Sequence, residues 1–434
     1  MKKYNLFQYF LLLISISCVE RFIVPESIDS QDTNQFGAGD TTFLQIKPVW
    51  GSAYGFDDPE DISIAQDGRI FVADKGNNSI IVLNQNGDRP QGFQALLDLK
   101  DSMGENISPI DVDIDKKMNI FFIDGSQRIF IWNQYWNDVN IDQVSIGGTF
   151  THNQTNIDTV LMAETDVWQT FLNDSEWSLT STQMSNDARI IDSLLAPHLF
   201  YDGDNDMNKF LDMFYQSGLS DFTAITAPSD QENMIYVSDS YGGTNNQYRI
   251  VKIDFYRSLL LELSTGEYVW AYTGRFGGNI KGYGTGAGTV NRPLSLDVDY
   301  EGNLYYTQSG DYFPVHMIIP NFSGDFDVYT SGFQPEADDI MDADLFFNAT
   351  DIAVDDDRNI YIVDNINADI TVFDSYGNYF KKAGYGSDSV KIMQEPVAVA
   401  IDQNGVVYAC DRMNGSIYRF TLSNNLNEDI KPED

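Results

Sequence analysis

The chain alternates apolar and polar residues in short runs. One sixteen-residue pattern occurs five times, and the five copies align with each other without a gap. Each copy has a stretch in which every second residue is apolar, then a polar turn, then a nearly continuous apolar stretch. Alternation with a period of two predicts a half-buried β-strand, and a short continuous apolar run predicts a strand that is covered on both faces. The copies are PEDISIAQDGRIFVAD (59–74), PIDVDIDKKMNIFFID (109–124), PLSLDVDYEGNLYYTQ (293–308), ATDIAVDDDRNIYIVD (349–364) and PVAVAIDQNGVVYACD (396–411).

A sixth copy, FTAITAPSDQENMIYVSD (222–239), fits if its turn is two residues longer. A third strand-like run such as DITVFD follows each copy, and a fourth such as EYVWAYTGRFGG leads towards the next. Four strands in each of six units predict an all-β fold, a six-bladed β-propeller in which neighbouring sheets cover each other. One aromatic position in the second strand would fill the gap between sheets: Phe71, Phe121, Tyr236, Tyr305, Tyr361 and Tyr408.

The last copy has no room for a fourth strand, because only a polar tail at 424–434 follows its third strand. A further strand-like run, TFLQIKPVW (42–50), precedes the first copy. We therefore expect this N-terminal strand to complete the last blade and close the ring. The propeller then spans 42–423 and follows a flexible linker at 19–41.

One insertion interrupts the repeat at about 148–221, where consecutive copies start at 109 and 222. Segments such as ETDVWQTFLND have apolar residues at three- and four-residue spacing, which predicts helices. If NIDQVSIGG is the fourth strand of blade two, this helical insertion caps one mouth of the central channel; the alternative is a decoration on the side of the ring. Its aromatic residues either contact a partner or pack inside the insertion: Trp168, Trp177 and Tyr201.

The N-terminal eighteen residues, MKKYNLFQYFLLLISISC, combine two lysines with an apolar run that is too short to span a bilayer as a stable helix. They predict export. Cys18 at the end of the run resembles a bacterial lipoprotein processing site, although Ser15 stands where leucine is usual. We therefore expect a lipoprotein-type signal peptide at 1–18 and a lipid on Cys18. The protein would lie at the outer membrane, in the periplasm or on the cell surface, held to the membrane only by that anchor.

The charge balance restricts the partners. The chain has 65 acidic and 26 basic residues, a formal net charge of −39. Such a field repels nucleic acid and suits cations or basic proteins. Cys410 is the only cysteine besides Cys18. It lies in a strand-like run, which predicts a buried and unreactive thiol.

The repeat resembles the NHL family, whose units combine an apolar strand, an Asp-Gly turn, an IYVAD-like strand and a third strand that opens with arginine. The copies at 59–74 and 349–364 match best. The copy at 293–308 has Gln308 in place of the turn aspartate. The arginine that opens the third strand is present only as Arg128 and Arg249. The resemblance implies a propeller but no single function, because this fold supports lyases, lactonase-like enzymes, sensors and protein or RNA binders.

The aspartate that ends the second strand recurs in five copies. An aspartate there can accept hydrogen bonds from backbone N–H groups two or three residues on, and the family resemblance implies that it also meets the arginine of the third strand. We expect these residues to lock turns rather than to bind a ligand: Asp74, Asp124, Asp239, Asp364 and Asp411.

A second acidic set breaks the repeat. Asp61, Asp111 and Asp351 each lie two residues after the start of a copy, where the innermost strand begins at the channel mouth. Three converging carboxylates repel each other unless a hard cation lies between them. Related six-bladed propellers often hold Ca²⁺ in the channel, so the resemblance makes these three the predicted calcium ligands.

The sequence indicates no catalytic or cofactor-binding residue. Its three histidines, His152, His198 and His316, are too few and too scattered for a zinc site or a histidine-based lyase centre. We therefore expect a binding or scaffold module of the cell envelope, whose partner is an envelope protein, a peptide or a glycan. The alternative is a calcium-dependent hydrolase or lyase, of lactonase or sugar-lyase type, with its site at the channel mouth.

Overall fold

The computed structural model describes most of the chain after residue 41. The described ranges are 42–101, 103–133, 145–152, 155–162, 177–179, 197–204, 219–228, 233–241, 248–262, 268–282, 286–310, 312–320, 329–335, 337–342, 344–386 and 390–423. The predicted signal peptide, the linker and the polar tail lie outside them.

Six sheets form a closed ring, because the innermost strand of each blade contacts that of the next and the sixth contacts the first. This confirms the predicted six-bladed β-propeller. Blades two to six have four antiparallel strands. From inside to outside they are Asp111–Ile114, Asn119–Ile123, Arg128–Asn133 and His198–Asp202 in blade two; Phe222–Thr226, Met234–Asp239, Arg249–Glu262 and Tyr268–Ile280 in blade three; Pro293–Val298, Leu304–Gln308, Val315–Pro320 and Tyr329–Ser331 in blade four; Ala349–Val354, Ile360–Asp364, Asp369–Phe373 and Tyr379–Ala383 in blade five; and Pro396–Ile401, Val407–Asp411, Ser416–Leu422 and Phe43–Trp50 in blade six.

Blade one departs from this plan, since its described strands are Pro59–Ile64, Ile70–Asp74 and Ser79–Leu83. An irregular segment follows in place of a fourth strand. Its side chains Phe93, Leu96 and Leu99 are at most 6% exposed and pack against blades one and two. Apolar side chains of a loop thus supply the cover that an outer strand provides elsewhere.

The core consists of six buried clusters, one between each pair of neighbouring blades. The recurrent aromatic residue lies in the cluster that faces the next blade, as Phe71 does between blades one and two. All six of these aromatic side chains are at most 5% exposed. The prediction that they fill the gaps between sheets is confirmed.

The N-terminal strand closes the ring, as predicted. Phe43 pairs with Leu422, and Trp50 pairs with Ile417 in the third strand of blade six. The Arg419 guanidinium lies 4.3 Å from the centre of the Trp50 ring, a cation–π contact across this joint.

The insertion is placed differently from the prediction. The fourth strand of blade two is His198–Asp202, not NIDQVSIGG, so the extra residues connect strands three and four within that blade. Their described part forms a separate sheet of Ser145–His152, Thr155–Met162 and Trp177–Leu179. The predicted helices fall largely outside the described residues. One of them, the segment SNDARIIDSLLAPHLF at 185–200, ends in His198–Phe200, and these three residues belong to a strand. Short apolar runs do not distinguish the two periods well.

The blades share two faces, which we call upper and lower. The upper face carries the turns that follow the second strands, and the lower face carries the hairpin turns between strands one and two. Asn133 and His198, where the insertion leaves and rejoins blade two, lie at the lower end of their strands. The insertion therefore starts at the face opposite the turn aspartates. Phe43 lies at the lower end too, so the chain enters the propeller there.

Candidate functional site

The three predicted calcium ligands lie together at the channel. Asp61, Asp111 and Asp351 occupy the same position of their innermost strands and form what we call the channel ring. Blades three, four and six have Ala224, Ser295 and Ala398 at this position. Since the ring residues line both cavities of the channel, they stand between them.

The larger cavity has a volume of about 500 Å³ and extends from the channel ring to the lower face, where Gln66, Lys116 and Gln403 line it. The smaller cavity, of about 280 Å³, opens on the upper face and is lined there by Lys75 and Arg412. The linings of both cavities contain no histidine or cysteine among the described residues. Acid, amide and hydroxyl groups, with lysine and arginine at the two mouths, therefore supply the chemistry of the described channel wall.

Each ring carboxylate joins its own blade to the next. Asp61 accepts a 2.8 Å hydrogen bond from the backbone N–H of Val112. Asp111 and Asp351 accept equivalent bonds from Ile225 (3.1 Å) and Val399 (2.6 Å). The innermost strand is the edge of its sheet, so its channel-facing N–H groups have no partner in the ladder. The carboxylates satisfy these groups and act as clasps between blades.

A second layer of carboxylates, which the sequence reasoning missed, lies two residues further along the innermost strands. Asp113 accepts hydrogen bonds from the Ala227 N–H and the Ser63 hydroxyl, both at 2.7 Å. Asp297 accepts a 2.7 Å bond from the Val354 N–H of blade five. The available signal was an acid at an alternate position of a strand that is otherwise mostly apolar, as in DVDI and LSLDV.

Burial makes these carboxylates hard to ionise. It raises the pKa of Asp61 and of Asp111 well above the usual value, and repulsion from the other ring members adds to the effect. The pKa of Asp351 rises to about 6, chiefly because it is buried. Burial also raises the pKa of Asp113 and of Asp297 in the second layer. These five carboxylates are therefore harder to ionise than exposed aspartates.

The channel ring does not fit a calcium ion as it is arranged. Both Asp351 oxygens are engaged, one by the Ser295 hydroxyl and the other by the Val399 N–H. Among the described residues, no group of three or more acids, histidines or cysteines is arranged to hold a metal ion. A calcium ion at the ring would have to share the Asp351 oxygens with these two donors.

The turn aspartates lock their turns, as predicted. Asp364 is fully buried and accepts hydrogen bonds from the backbone N–H groups of Phe347 (2.7 Å) and Ile366 (3.1 Å). Asn367 donates a further side-chain bond of 2.8 Å. This asparagine, three residues after the aspartate, was missed in the sequence. The equivalent pairs are Asp74–Asn77 (2.6 Å) and Asp411–Asn414 (2.9 Å).

The remaining turns use other partners. Asp239 pairs with Arg249 at 2.8 Å, and Asp124 pairs with Arg128, which are the arginine contacts implied by the family resemblance. In blade four, Gln308 replaces the aspartate and accepts a 2.9 Å bond from the Asn291 N–H. The turn position is therefore structural in all six blades.

Two of the other candidate residues, Tyr201 and Cys410, are buried in the core between blades. Tyr201 is 4% exposed and packs on Phe222 in the core between blades two and three, which is neither of the two predicted roles. Trp168 and the Trp177 side chain lie outside what is described, as does Cys18. Cys410 is a buried free thiol whose pKa burial raises well above the usual value, which confirms the predicted unreactive cysteine.

His316 is buried in blade four, where its Nδ1 accepts a 3.0 Å hydrogen bond from the Gly288 N–H. Burial lowers its pKa to about 4, so the ring is neutral near pH 7. Among the described residues, no helix has the length and apolar character needed to span a membrane.

The strand pairing defines the class: this is a six-bladed β-propeller. The model of the NHL repeat matches residues 56–83, which include all three strands of blade one. The chain is therefore a six-bladed β-propeller that contains a match to the NHL repeat at residues 56–83. No curated protein sequence matches it.

Several solved structures are similar at low identity. A gluconolactonase from Xanthomonas campestris is 8% identical, and the match covers 88% of this chain and 97% of that chain with a TM-score of 0.45. A virginiamycin B lyase from Staphylococcus aureus is 11% identical, with coverages of 88% and 99% and a TM-score of 0.44. A protein of unknown function from Bacteroides thetaiotaomicron is 12% identical, with coverages of 88% and 77% and a TM-score of 0.49. The fold assignment rests on the strand pairing of this chain and not on these scores.

Proposed function

We propose that this propeller is an exported, lipid-anchored module of the bacterial cell envelope that binds a partner protein or peptide through its upper face. The observation that carries the proposal is the chemistry of the channel. The ring carboxylates are engaged as clasps between blades, and the described channel wall holds no histidine or cysteine. Binding therefore suits the site better than catalysis.

The position of the chain entry supports the choice of face. Thr42 and Ser423 meet at the lower end of blade six, where the Ser423 N–H donates a 2.8 Å hydrogen bond to the Thr42 carbonyl oxygen. A lipid on Cys18 would thus connect to the propeller at its lower face. The upper face, with the smaller cavity and its rim, is left accessible to a partner.

The charge supports a protein or peptide partner over a nucleic acid. A formal net charge of −39 repels phosphate backbones and favours association with basic surfaces. Two cations at the upper mouth are already paired: Lys75 with Glu60 at 3.2 Å, and Arg412 with Glu60 and Glu395. Neither is an uncompensated anchor for an anionic ligand.

Site-specific photo-cross-linking in the native envelope tests the proposal. A photoreactive residue replaces Lys75 at the upper mouth or, as a matched control, Lys116 at the lower mouth; both side chains are exposed. We expect a discrete protein adduct from position 75 only. Adducts from neither position overturn the binding function, and adducts only from position 116 overturn the choice of face. Loss of membrane association in a Cys18→Ser variant tests the anchor separately.

A further inference from the structure

Three large apolar side chains project from the upper face of blades five and six. They are Phe347 (75% exposed), Ile366 (66%) and Met413 (65%), which we call the apolar arc. Ile366 and Met413 each lie two residues after a turn aspartate, and Phe347 lies seventeen residues before Asp364. Their backbones take part in the turns while their side chains face solvent.

The fold does not require apolar residues at these positions. The residue two after the turn aspartate is Gly76 in blade one and Ser126 in blade two. The position of Phe347 is occupied by Asp57 in blade one and by Gln394 in blade six. The same hydrogen bonds form there, since Asp74 accepts from the Asp57 N–H as Asp364 accepts from the Phe347 N–H. The apolar character of the arc therefore serves something other than the turn.

The three residues of the arc are chain neighbours of residues at the channel mouth. Asn348 and Asn365, the neighbours of Phe347 and Ile366, are joined by a 2.8 Å side-chain hydrogen bond. Asn365 and Arg412, which precede Ile366 and Met413 in the chain, both line the smaller cavity. A partner that covers the arc therefore also reaches the mouth.

We propose that the apolar arc is the docking surface for a polypeptide segment that carries apolar side chains next to lysine or arginine; this rests on the binding function proposed above. Charge complementarity selects the basic residue, because the chain has a formal net charge of −39 and the two cations at the mouth, Lys75 and Arg412, are already paired with glutamates. Ile366 and Met413 have no group that hydrogen-bonds a sugar hydroxyl, so the arc favours a peptide over a glycan. Methionine adapts its shape to differing apolar partners.

Selection from a displayed library of random dodecapeptides, run against the full chain, tests this surface. We expect enriched peptides to combine large apolar residues with lysine or arginine. Their affinity should fall at least about tenfold in a Phe347→Ser, Ile366→Ser, Met413→Ser variant. Because all three side chains are exposed, that variant should fold, which its melting temperature checks. Tyr376→Ser is the control, since Tyr376 is 74% exposed on the lower face of blade five.

Three outcomes would overturn the proposal that the arc is a docking surface: no enrichment, enrichment of acidic or wholly polar peptides, or equal affinity of the enriched peptides for the parent and the triple variant. Each is distinct from failure of the binding function, which the cross-linking from position 75 decides. An envelope adduct at position 75 together with peptides that ignore the arc would mean that the partner docks elsewhere on the upper face.

Discussion

The Asp61 carboxylate of blade one accepts a 2.8 Å hydrogen bond from the backbone N–H of Val112 in blade two. The bond crosses between two sheets at the channel, where the innermost strand is an edge with no further strand beside it. Carboxylates at this level therefore do for the N–H groups what a neighbouring strand does inside a sheet. Where blade four has Ser295 instead, its hydroxyl oxygen accepts from the Ile352 N–H at 3.3 Å.

Removing the carboxyl group of a clasp should destabilise the propeller more than replacing it with a neutral amide. Asp111→Ala leaves the Ile225 N–H without its acceptor, and we expect a loss of about 1–3 kcal/mol in the free energy of unfolding. Asp111→Asn keeps an acceptor oxygen and removes repulsion from Asp61 and Asp351, so it should be at least as stable as the parent near pH 8. Urea unfolding measures both variants. Equal stabilities for Ala and Asn would contradict the clasp.

Stability should fall as the pH rises through the range in which Asp351 titrates. Its pKa is about 6 in the folded protein, against about 4 in the unfolded chain. The folded state then binds more protons between these values, so stability is greatest at the acidic end and is lost as the pH rises through about 6. We expect the parent to gain up to about 3 kcal/mol on going from about pH 7.5 to about pH 4 through this group.

Asp351→Asn should have a smaller gain over the same pH interval, because it lacks the titrating group. The control is Asp356→Asn, which removes one exposed acid of the same blade and so matches the change in net charge. If the two variants show the same pH dependence of unfolding, Asp351 is not the source of the effect.

A calcium titration separates the predicted metal site from the clasps. A Ca²⁺ ion held by Asp61, Asp111 and Asp351 would raise the melting temperature of the parent but not of a variant with asparagine at all three positions. If the carboxylates act only as clasps, Ca²⁺ should raise the melting temperature no more than Mg²⁺ does at equal ionic strength. The engaged oxygens of Asp351 lead us to expect the second result. A calcium-specific rise that the triple variant abolishes would restore the calcium site and the hydrolase or lyase alternative.

Breaking a turn lock should be costly wherever the aspartate is buried. Asp364→Ala leaves the N–H groups of Phe347 and Ile366 without an acceptor inside the turn, and we expect a loss of about 2–4 kcal/mol. Asp356→Ala, in an exposed hairpin turn of the same blade, should change stability by less than about 0.5 kcal/mol. Denaturant unfolding compares the two variants, and similar midpoints would refute the lock.

The repeat predicts the ring of blades well because every copy has the same pattern of apolar and polar positions. Period-two alternation, one aromatic per blade and a turn aspartate in five of the six blades predict six strand pairs, and the equal register places Asp61, Asp111 and Asp351 at one level. The clasps escape such reasoning, since the partner of Asp61 is a backbone N–H 51 residues away. An N–H group is present at every residue except proline and leaves no mark in the sequence.

The insertion was misplaced for a related reason. Strand four of blade two, His198–Asp202, pairs with Arg128–Asn133 across more than sixty residues. Nothing local distinguishes it from the apolar runs beside it. Phe200 and Tyr201 are both buried although adjacent, because the pairing register shifts between Leu199 and Tyr201. A bulge of this kind breaks the alternation on which strand prediction depends.

The joint of blade six should decide whether the ring closes. Removing residues 42–50 takes away the outer strand that pairs with Ser416–Leu422, together with the Trp50 ring beneath Arg419 and the Pro48 carbonyl oxygen that accepts its 2.9 Å hydrogen bond. Trp50 is fully buried between blades six and one, so its loss also opens that core cluster. We expect cooperative thermal unfolding to disappear. Removing residues 19–38, which precede the strand, should leave the melting curve unchanged, and equal curves for the two deletions would show that the N-terminal strand does not close the propeller.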